Sequence, residues 1–300
     1  MAVIDANELF SALGLAAAEG ADLPEGGMSG ATLLEGLTTS GAPVIVKVIE
    51  LSSPDQAGQG RRELFAYTEL SRRIAIPSPR MVAAHETEDW IAIALERHEP
   101  AEPAQAWTTA QWTDLAGLLG RMHRTSRGVR SVTPPLDLQR RHERDGPDSF
   151  ARRLWSAPDD ENRLKRVADD LTHLRAAVDE SPHSFVHGDC HLGNVVRTST
   201  GRPLLVDWAS ARVGPSVGDI SFALTRAAAS ADTVPRHPAM DAYSSAAGVD
   251  ADQTRRAATA HQLLILVEQY PEFADFLAPR DVDRLRRTFD ALLREWVGRS

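Results

Sequence analysis

One segment, between residues 185 and 219, carries polar side chains whose types and spacing fit a chemical reaction. Asp189 is followed by Asn194 five residues later, and by Asp207 after an apolar run. Metal-assisted phosphoryl transfer needs this combination: one carboxylate facing the attacking hydroxyl, and an amide oxygen and a second carboxylate holding Mg²⁺ on a triphosphate. The pattern therefore indicates Asp189 as the base, with Asn194 and Asp207 as metal ligands.

The same segment resembles the aminoglycoside phosphotransferase and choline kinase-like family, which has a protein-kinase-like fold. The family motif H-G-D-x-x-x-x-N is present in full over residues 187–194. The family's metal motif is an aspartate after a strand, then a Gly-Pro loop and a further aspartate. It is matched by Asp207, residues 214–215 and Asp219. The resemblance runs from about residue 20 to residue 230, and it specifies a fold and a chemistry rather than a substrate.

The resemblance implies separate roles for the loop residues. Asp189 would accept or orient the proton of the substrate hydroxyl, and Asn194 and Asp207 would bind Mg²⁺, a hard cation that prefers oxygen ligands. His187 is expected to support the loop by hydrogen bonds. Asp219 is expected to cap the following helix or brace the loop rather than bind metal.

Two features upstream could bind a nucleotide. A glycine-rich turn lets backbone N–H groups approach phosphates, although a plain hairpin turn has the same composition. The candidate residues of this turn are Gly26, Gly27, Ser29 and Gly30. Lys47 lies on an otherwise apolar strand, where a charged head requires a partner, and Glu63 on the next helix could supply it. The structural alternative for Lys47 is an edge-strand lysine that opposes aggregation.

The resemblance also implies how these residues would hold ATP. Lys47 would contact the α- and β-phosphates, and Glu63 would orient it. Neighbouring arginines could instead draw Glu63 into a surface ion pair. Backbone groups near Leu95 and Arg97, at the end of the last strand of the sheet, are expected to hydrogen-bond the adenine edge.

The hydrophobic periodicity predicts an α+β chain, and the resemblance implies a two-lobed, protein-kinase-like fold. The N-lobe is expected to be a five-stranded antiparallel sheet with one helix, and the C-lobe to be mainly helical. Strands are predicted at 31–37, 44–49, 81–84 and 90–95, and helices at 5–18 and 59–73. C-lobe helices are predicted at 108–126, 147–155, 159–178, 219–230, 251–269 and 281–297, interrupted by strands near 194–206. The predicted divisions are the N-lobe at 1–96, a linker at 97–106 and the C-lobe at 107–300.

Bulk composition excludes several classes of protein. The chain has 300 residues with a net charge of −9, which argues against a nucleic-acid binder. No apolar run approaches the roughly 18 residues of a membrane span, and the first residues lack the basic region of a signal peptide. The only cysteine, Cys190, excludes an internal disulfide. We expect a cytoplasmic monomer or homodimer that binds neither membrane nor nucleic acid.

The combined features predict an ATP- and Mg²⁺-dependent transfer of phosphate to a hydroxyl of a small molecule. An acidic chain favours a cationic acceptor, such as an aminoglycoside-like antibiotic or an amino alcohol, which would give a role in antibiotic resistance. The carboxylates that could meet ammonium groups, or could equally form solvated helix faces, are Asp159, Asp160, Glu161, Glu268, Glu272 and Asp275. A kinase for a small metabolite or a macrolide is the alternative within the same fold.

Two hypotheses from other classes stay open. A nucleotide-binding pseudokinase would act through partners and would keep ATP binding without turnover. A metal-dependent hydrolase would use the crowded ligand-type residues His187, Asp189, Cys190 and His191. The hydrolase reading leaves Asn194 without a role.

Overall fold

The structure is a computed structural model that describes residues 6–18, 31–129 and 147–298. The chain divides into two compact units, the first comprising Met1–Pro100 and Val196–Ala211, and the second Ala101–Val195 and Arg212–Ser300. The predicted N-lobe ended at residue 96, whereas the first unit also takes in a later segment that contains Asp207. The predicted glycine-rich turn at residues 26–30 lies outside the described residues.

The first unit is built on a five-stranded antiparallel sheet in the order β1-β2-β3-β5-β4. Its strands are β1 (Ala16–Ala17), β2 (Thr32–Leu37), β3 (Pro43–Glu50), β4 (Met81–Glu86) and β5 (Trp90–Glu96). In β3 the valines at alternate positions, Val44, Val46 and Val48, are buried in one hydrophobic cluster, because successive side chains of a strand point to opposite faces. The predicted five-stranded sheet is confirmed.

The first helix is shorter than predicted. Helix α1 (Ala6–Leu13) ends before Gly14, whose φ of +66° is a left-handed conformation that closes a helix. Beyond it, Ala16 pairs with Leu37 as part of β1, so the predicted helix over 5–18 was wrong in its last turn. The following strand passes so close to α1 that a Cβ on Gly36 would lie 2.5 Å from the Phe10 ring.

The single long helix of the first unit starts earlier than predicted. Helix α2 (Pro54–Phe65) is capped by Ser53, whose hydroxyl accepts from a backbone N–H of the first turn at 3.3 Å. It continues through one wide turn, Ala66–Leu70, and a last turn, Ser71–Arg73. The wide turn has the i→i+5 geometry of a π-bulge.

The remaining strands are short. A three-stranded sheet has the order β6-β8-β9, and a two-stranded ladder joins β10 to β7. These strands are β6 (Glu99–Pro100), β7 (His183–Val186), β8 (Val195–Arg197), β9 (Pro203–Leu205) and β10 (Arg212–Pro215). The β7–β10 ladder positions the loop at residues 187–194, because that loop follows β7 directly.

The second unit is mainly helical, as predicted. Its helices are α3 (Thr109–Thr125), α4 (Pro147–Arg152), α5 (Asp160–Asp169), α6 (Leu171–Asp179), α7 (Val217–Ser230), α8 (Arg236–Ala247), α9 (Ala251–Glu268) and α10 (Pro279–Val297). The predicted helix over 159–178 is divided at Asp170. Helix α8 was not predicted; Pro238 lies in its first turn, where the missing N–H of proline costs no hydrogen bond.

The core of the second unit packs α9 and α10 around large aromatic side chains. Trp155 and Phe289 are fully buried with ring centroids 5.1 Å apart, and the Trp155 indole donates to Leu266 O at 2.7 Å. In the described ranges, no helix combines the length and apolarity that crossing a lipid bilayer requires.

Candidate active site

The first unit brings three charged side chains together. Lys47 Nζ lies 2.7 Å from Glu63 Oε2 and 2.9 Å from Asp207 Oδ1. Lys47 comes from the middle of β3, and because Val46 and Val48 point into the hydrophobic cluster, the lysine between them points to the opposite face. Glu63 comes from α2, and Asp207 from the segment after β9.

Burial and charge act against each other in this cluster. Burial would lower the pKa of Lys47, but the two carboxylates outweigh it and raise that pKa. Burial raises the pKa of Glu63 to about 7, against the opposing effect of Lys47. The lysine therefore stays a cation near neutral pH, held in a fixed position by its neighbours.

Asp207 has an unusual backbone. Its φ of 63° and ψ of 67° are left-handed, the only positive φ at a non-glycine residue in the described ranges. The helical turn that follows is fixed on both sides. The buried Trp208 donates its indole N–H to Leu205 O at 3.0 Å, and Arg62 Nε of α2 donates to Ala209 O at 2.9 Å. Such conformations persist where the surroundings hold them, and they cluster at functional sites.

The second unit holds the loop at residues 187–194 by a buried aspartate. Asp219 Oδ2 accepts from the backbone N–H of His187, and its Oδ1 from that of Gly188, both at 2.8 Å. Its Oδ2 also lies 3.0 Å from His123 Nε2, and the other ring nitrogen of His123 lies 2.9 Å from the Tyr243 hydroxyl. Burial would raise the pKa of Asp219, but the His123 contact and the loop amides lower it to about 2. Asp219 is therefore an anion that anchors the loop from within the core.

Asp189 is presented on this anchored loop. Asn194 Nδ2 donates to Asp189 O at 2.9 Å and to Asp189 Oδ2 at 3.1 Å, and the Asp189 N–H donates to His187 Nδ1 at 3.3 Å. His191 Nε2 lies 3.7 Å from the same Oδ2. Burial would raise the pKa of Asp189, but the neighbouring His191, His187 and Arg226 lower it overall. Asp189 is thus a carboxylate at neutral pH, and 37% of its side chain is exposed.

The predicted site residues form two groups, one in each unit. Lys47, Glu63 and Asp207 contact one another in the first, and the second contains His187, Asp189, Asn194 and Asp219. The sequence analysis did not identify His123. The signal was present, because a histidine on the buried face of an apolar helix requires a polar partner.

The predicted adenine contacts have mixed support. The Arg97 N–H already donates to Pro43 O at 3.2 Å, and its guanidinium pairs with Glu35 at 2.8 Å. This N–H is therefore in use within the sheet. Leu95 lies in β5 opposite Ile45, and its contact with adenine stays a prediction.

The loop does not form the metal site that a hydrolase would need. Cys190 is fully buried, and burial together with the Asp219 and Asp189 carboxylates raises the pKa of its thiol well above the usual value. Across residues 6–18, 31–129 and 147–298, no three His, Cys, Asp or Glu side chains are grouped to hold a metal ion.

Mg²⁺ carried on a nucleotide needs fewer protein ligands. Such an ion keeps several waters and takes one or two protein oxygens together with the phosphates. Asn194 uses its Nδ2 within the loop, which leaves its Oδ1 for other partners. Asn194 in the second unit and Asp207 in the first therefore each offer the kind of oxygen donor that a nucleotide-bound magnesium ion takes.

A separate cavity of about 480 Å³ lies in the second unit among α7, α8, α9 and α10. None of the predicted site residues lines it. Its charged residues are already paired, Arg236 with Glu295 at 2.5 Å and Arg284 with Asp232 at 2.7 Å.

Comparison with known families gives one decisive match. The model of the phosphotransferase enzyme family matches residues 24–258, which is most of the chain. This chain belongs to that family. The phosphotransferase has no match among curated proteins. Members of the family use a nucleoside triphosphate with a divalent metal.

The phosphotransferase also shares its fold with solved small-molecule kinases. An aminoglycoside phosphotransferase from Alicyclobacillus acidocaldarius aligns with a TM-score of 0.66 and 15% identity, over 99% of this chain and 96% of that one. A choline kinase from Streptococcus pneumoniae aligns with a TM-score of 0.55 and 14% identity, over 96% and 97%. An amicoumacin kinase in complex with AMP-PNP and Ca²⁺ aligns with a TM-score of 0.62 and 15% identity, over 97% and 94%.

Such identities establish the fold alone, and the family match establishes the enzyme class. The predicted α+β, kinase-like fold is confirmed, and so is the predicted class, a small-molecule phosphotransferase with an alcohol group as acceptor.

Proposed function

We propose that this phosphotransferase moves the γ-phosphate of ATP, bound with Mg²⁺, to a hydroxyl of a small molecule. The observation that supports this most directly is the Lys47–Glu63–Asp207 cluster, whose charges suit a metal-bound triphosphate. The anchored loop that presents Asp189 supports it independently.

The first group of residues would bind the nucleotide. Lys47 stays protonated and offsets the phosphate charge, and Glu63 keeps the ammonium in position. Asp207 is held in a strained backbone conformation and would ligate the metal. When bound, Mg²⁺ offsets the charge that develops on the transferred phosphoryl group.

The second group would bind and orient the acceptor hydroxyl. Asp189 Oδ2 is occupied by Asn194, whereas its Oδ1 accepts no hydrogen bond from any described residue. Oδ1 is therefore the atom that would receive the hydroxyl proton. The acceptor oxygen forms a bond to the γ-phosphorus, the bond to the β,γ-bridging oxygen breaks, and ADP leaves. The hydroxyl proton passes to Asp189 and then to water. Because the Asp189 pKa is lowered, its contribution is mainly orientation.

The cationic acceptor expected from the sequence stays a prediction. Four of the six carboxylates named for it, Asp160, Glu161, Glu268 and Asp275, each lie at most 3.7 Å from an arginine. A carboxylate paired in this way has little remaining attraction for an ammonium group. A role in antibiotic resistance accordingly has no support from these side chains.

The proposal is tested by an ATP-consumption screen with Mg²⁺ against hydroxylated antibiotics, sugars, amino alcohols and hydroxy acids. We expect ADP formation that depends on the acceptor, and a phosphate ester in the product by mass spectrometry. Asp189→Asn serves as the inactive control. Tight binding of Mg–ATP without turnover of any acceptor would favour a nucleotide-binding pseudokinase instead.

A further inference from the structure

One face of helix α7 runs from the catalytic loop to an arginine. Asp219, Phe222 and Arg226 lie at positions i, i+3 and i+7 of α7, so they share a face of the helix. Asp219 anchors the loop that presents Asp189. At about 1.5 Å of rise per residue, Arg226 lies roughly 10 Å further along the helix axis.

Aromatic side chains line the interval between Asp189 and Arg226. The His191 ring, whose Nε2 lies 3.7 Å from Asp189 Oδ2, has its centroid 6.4 Å from that of Phe222. The guanidinium carbon of Arg226 lies 5.1 Å from the centroid of the Phe273 ring. These side chains form a half-apolar surface with a carboxylate at one end and a cation at the other.

The guanidinium of Arg226 is held by rings rather than by a carboxylate. It also lies 5.9 Å from the centroid of the buried Tyr270 ring, and this cation–π setting orients a guanidinium without neutralising it. Within the ranges that the structure describes, no acidic side chain forms an ion pair with Arg226. The buried Tyr270 hydroxyl has no hydrogen bond of normal geometry there, and the nearby Arg226 guanidinium opposes the rise that burial causes in the pKa of this hydroxyl.

This setting is unlike that of the other arginines in the same unit. Arg163, Arg236 and Arg284 each lie within 2.7 Å of a carboxylate oxygen. Arg226 is half-buried, and it acts electrostatically on Asp189. A half-buried cation with no carboxylate at ion-pair distance is costly to keep unless a ligand supplies the opposite charge.

We propose that Arg226 binds an anionic group of the acceptor, a carboxylate or a phosphate, while Asp189 faces the acceptor's hydroxyl. This inference rests on the proposed phosphotransfer and names its substrate class: an alcohol that carries a negative charge at a distance from the reacting oxygen. The planar guanidinium offers paired N–H groups that match a carboxylate or phosphate, and Phe222 packs against the carbon skeleton between the two ends.

The test compares acceptors that share one skeleton and differ in charge: gluconate, glucose 6-phosphate, glucose and glucosamine. We expect kcat/KM to be highest for gluconate or glucose 6-phosphate, and the relative rates of these two identify carboxylate or phosphate as the preferred group. Arg226→Gln should lower kcat/KM for the anionic acceptor by about 10- to 100-fold, as expected for a hydrogen bond to a charged group. The KM for ATP should not change.

Arg287→Gln is the matched control, because Arg287 is exposed and this substitution removes the same charge elsewhere in the unit. This substitution should leave kcat/KM unchanged for all four acceptors. Preference for glucose or glucosamine, unchanged in Arg226→Gln, would overturn the inference and leave the proposed phosphotransfer intact.

Binding measurements separate the two claims further. Calorimetry should still detect binding of the anionic acceptor to Asp189→Asn. The double variant that also carries Arg226→Gln should lose this binding. Anion binding that depends on Arg226, with no phosphate transfer by the unmodified enzyme, would reject the proposed function alone. Absence of any binding by the anionic members would reject the inference.

Discussion

At the scale of single residues, two aspartates of one motif region have different surroundings. Asp189 lies on an anchored loop with Oδ1 free of hydrogen bonds from described residues, whereas Asp207 Oδ1 is paired with Lys47. The first arrangement suits an acceptor hydroxyl and the second suits a metal–phosphate group. Removing the charge of each aspartate should therefore affect the enzyme in a different way.

We expect Asp189→Asn to lower kcat by about 10²-fold or more, the usual cost of losing the orientation of a reacting group, with Mg–ATP affinity nearly unchanged. Asp207→Asn should weaken Mg–ATP binding as well, because a metal ligand is lost. Isothermal titration with Mg–ATP and steady-state rates for both variants test this split. Equal loss of nucleotide affinity in the two variants would contradict it.

Cys190 adjoins Asp189 in sequence but is fully buried. Its thiol pKa is raised well above the usual value by burial and by the Asp219 and Asp189 carboxylates, so little thiolate is available at neutral pH. We expect iodoacetamide to leave the native enzyme unlabelled and fully active, and to label Cys190 completely in guanidinium chloride. Rapid stoichiometric labelling of the native protein, detected by mass spectrometry, would show that the thiol is accessible.

At the scale of elements, the close packing of α3 against α8 depends on a glycine. A Cβ added at Gly120 would lie 2.6 Å from Tyr243 O and 2.9 Å from Ala247 N, and backbone atoms cannot move aside cheaply. On the same helix, a Cβ at Gly117 would meet only the flexible end of Arg121, at 3.3 Å. The two glycines form a matched pair for mutation.

Gly120→Ala should destabilise the protein by about 1–3 kcal/mol through overpacking. Gly117→Ala should stabilise it by about 0.5–1 kcal/mol, because alanine loses less backbone entropy in a helix. Thermal unfolding of both variants measures the contrast. Because α8 carries Tyr243, which contacts His123, the Gly120 variant should also lose activity. A rise in unfolding temperature for Gly120→Ala would show that the helices can separate at little cost.

Elements with strong periodicity could be predicted from the sequence, and short ones could not. The valine-rich β3 and the long helices α3 and α9 follow their apolar patterns closely. Strand β1 has only two residues, and its pairing with β2 is a tertiary contact that no local pattern encodes.

The residues of the candidate site also divide into those that the sequence predicts and those that it does not. Catalytic and metal-binding candidates such as Asp189 and Asn194 are close in sequence, so their spacing was enough to predict them together. In the network of His123, Asp219 and Tyr243, the two partners of His123 lie 96 and 120 positions further along the chain. Arg226 is recognised only through the rings that surround it. Such residues are identified by folded geometry rather than by motif.

At the scale of the whole molecule, a half-buried histidine should make stability depend on pH. His261 of α9 is half-buried, and its buried Nδ1 has no hydrogen-bond partner in the described ranges. Burial and the nearby Arg212 cation lower its pKa to about 4, from a usual value of 6.5, against the opposing effect of Asp219. Above the usual value, both the folded and the unfolded state are neutral at this site. As pH falls towards 4, only the unfolded state takes up the proton.

As pH falls from 6.5 to 4, the protonation of His261 should therefore lower the free energy of unfolding by about 3 kcal/mol. His261→Gln removes the titration, so its unfolding midpoint should depend less on pH over this range than that of the unmodified protein. The comparison with the variant is needed because Glu63, whose pKa is raised to about 7, contributes in the opposite direction. Parallel pH profiles for the two proteins would refute the assignment.

The chain passes from one compact unit to the other three times, after Pro100, after Val195 and after Ala211. Neither unit is therefore a continuous stretch of gene. A fragment ending at residue 100 would lack the strand and turn that carry Asp207, and a fragment starting at residue 101 would carry that segment without its sheet. No single recombination breakpoint can exchange one unit for that of a relative, because each unit is assembled from two separate segments of the chain.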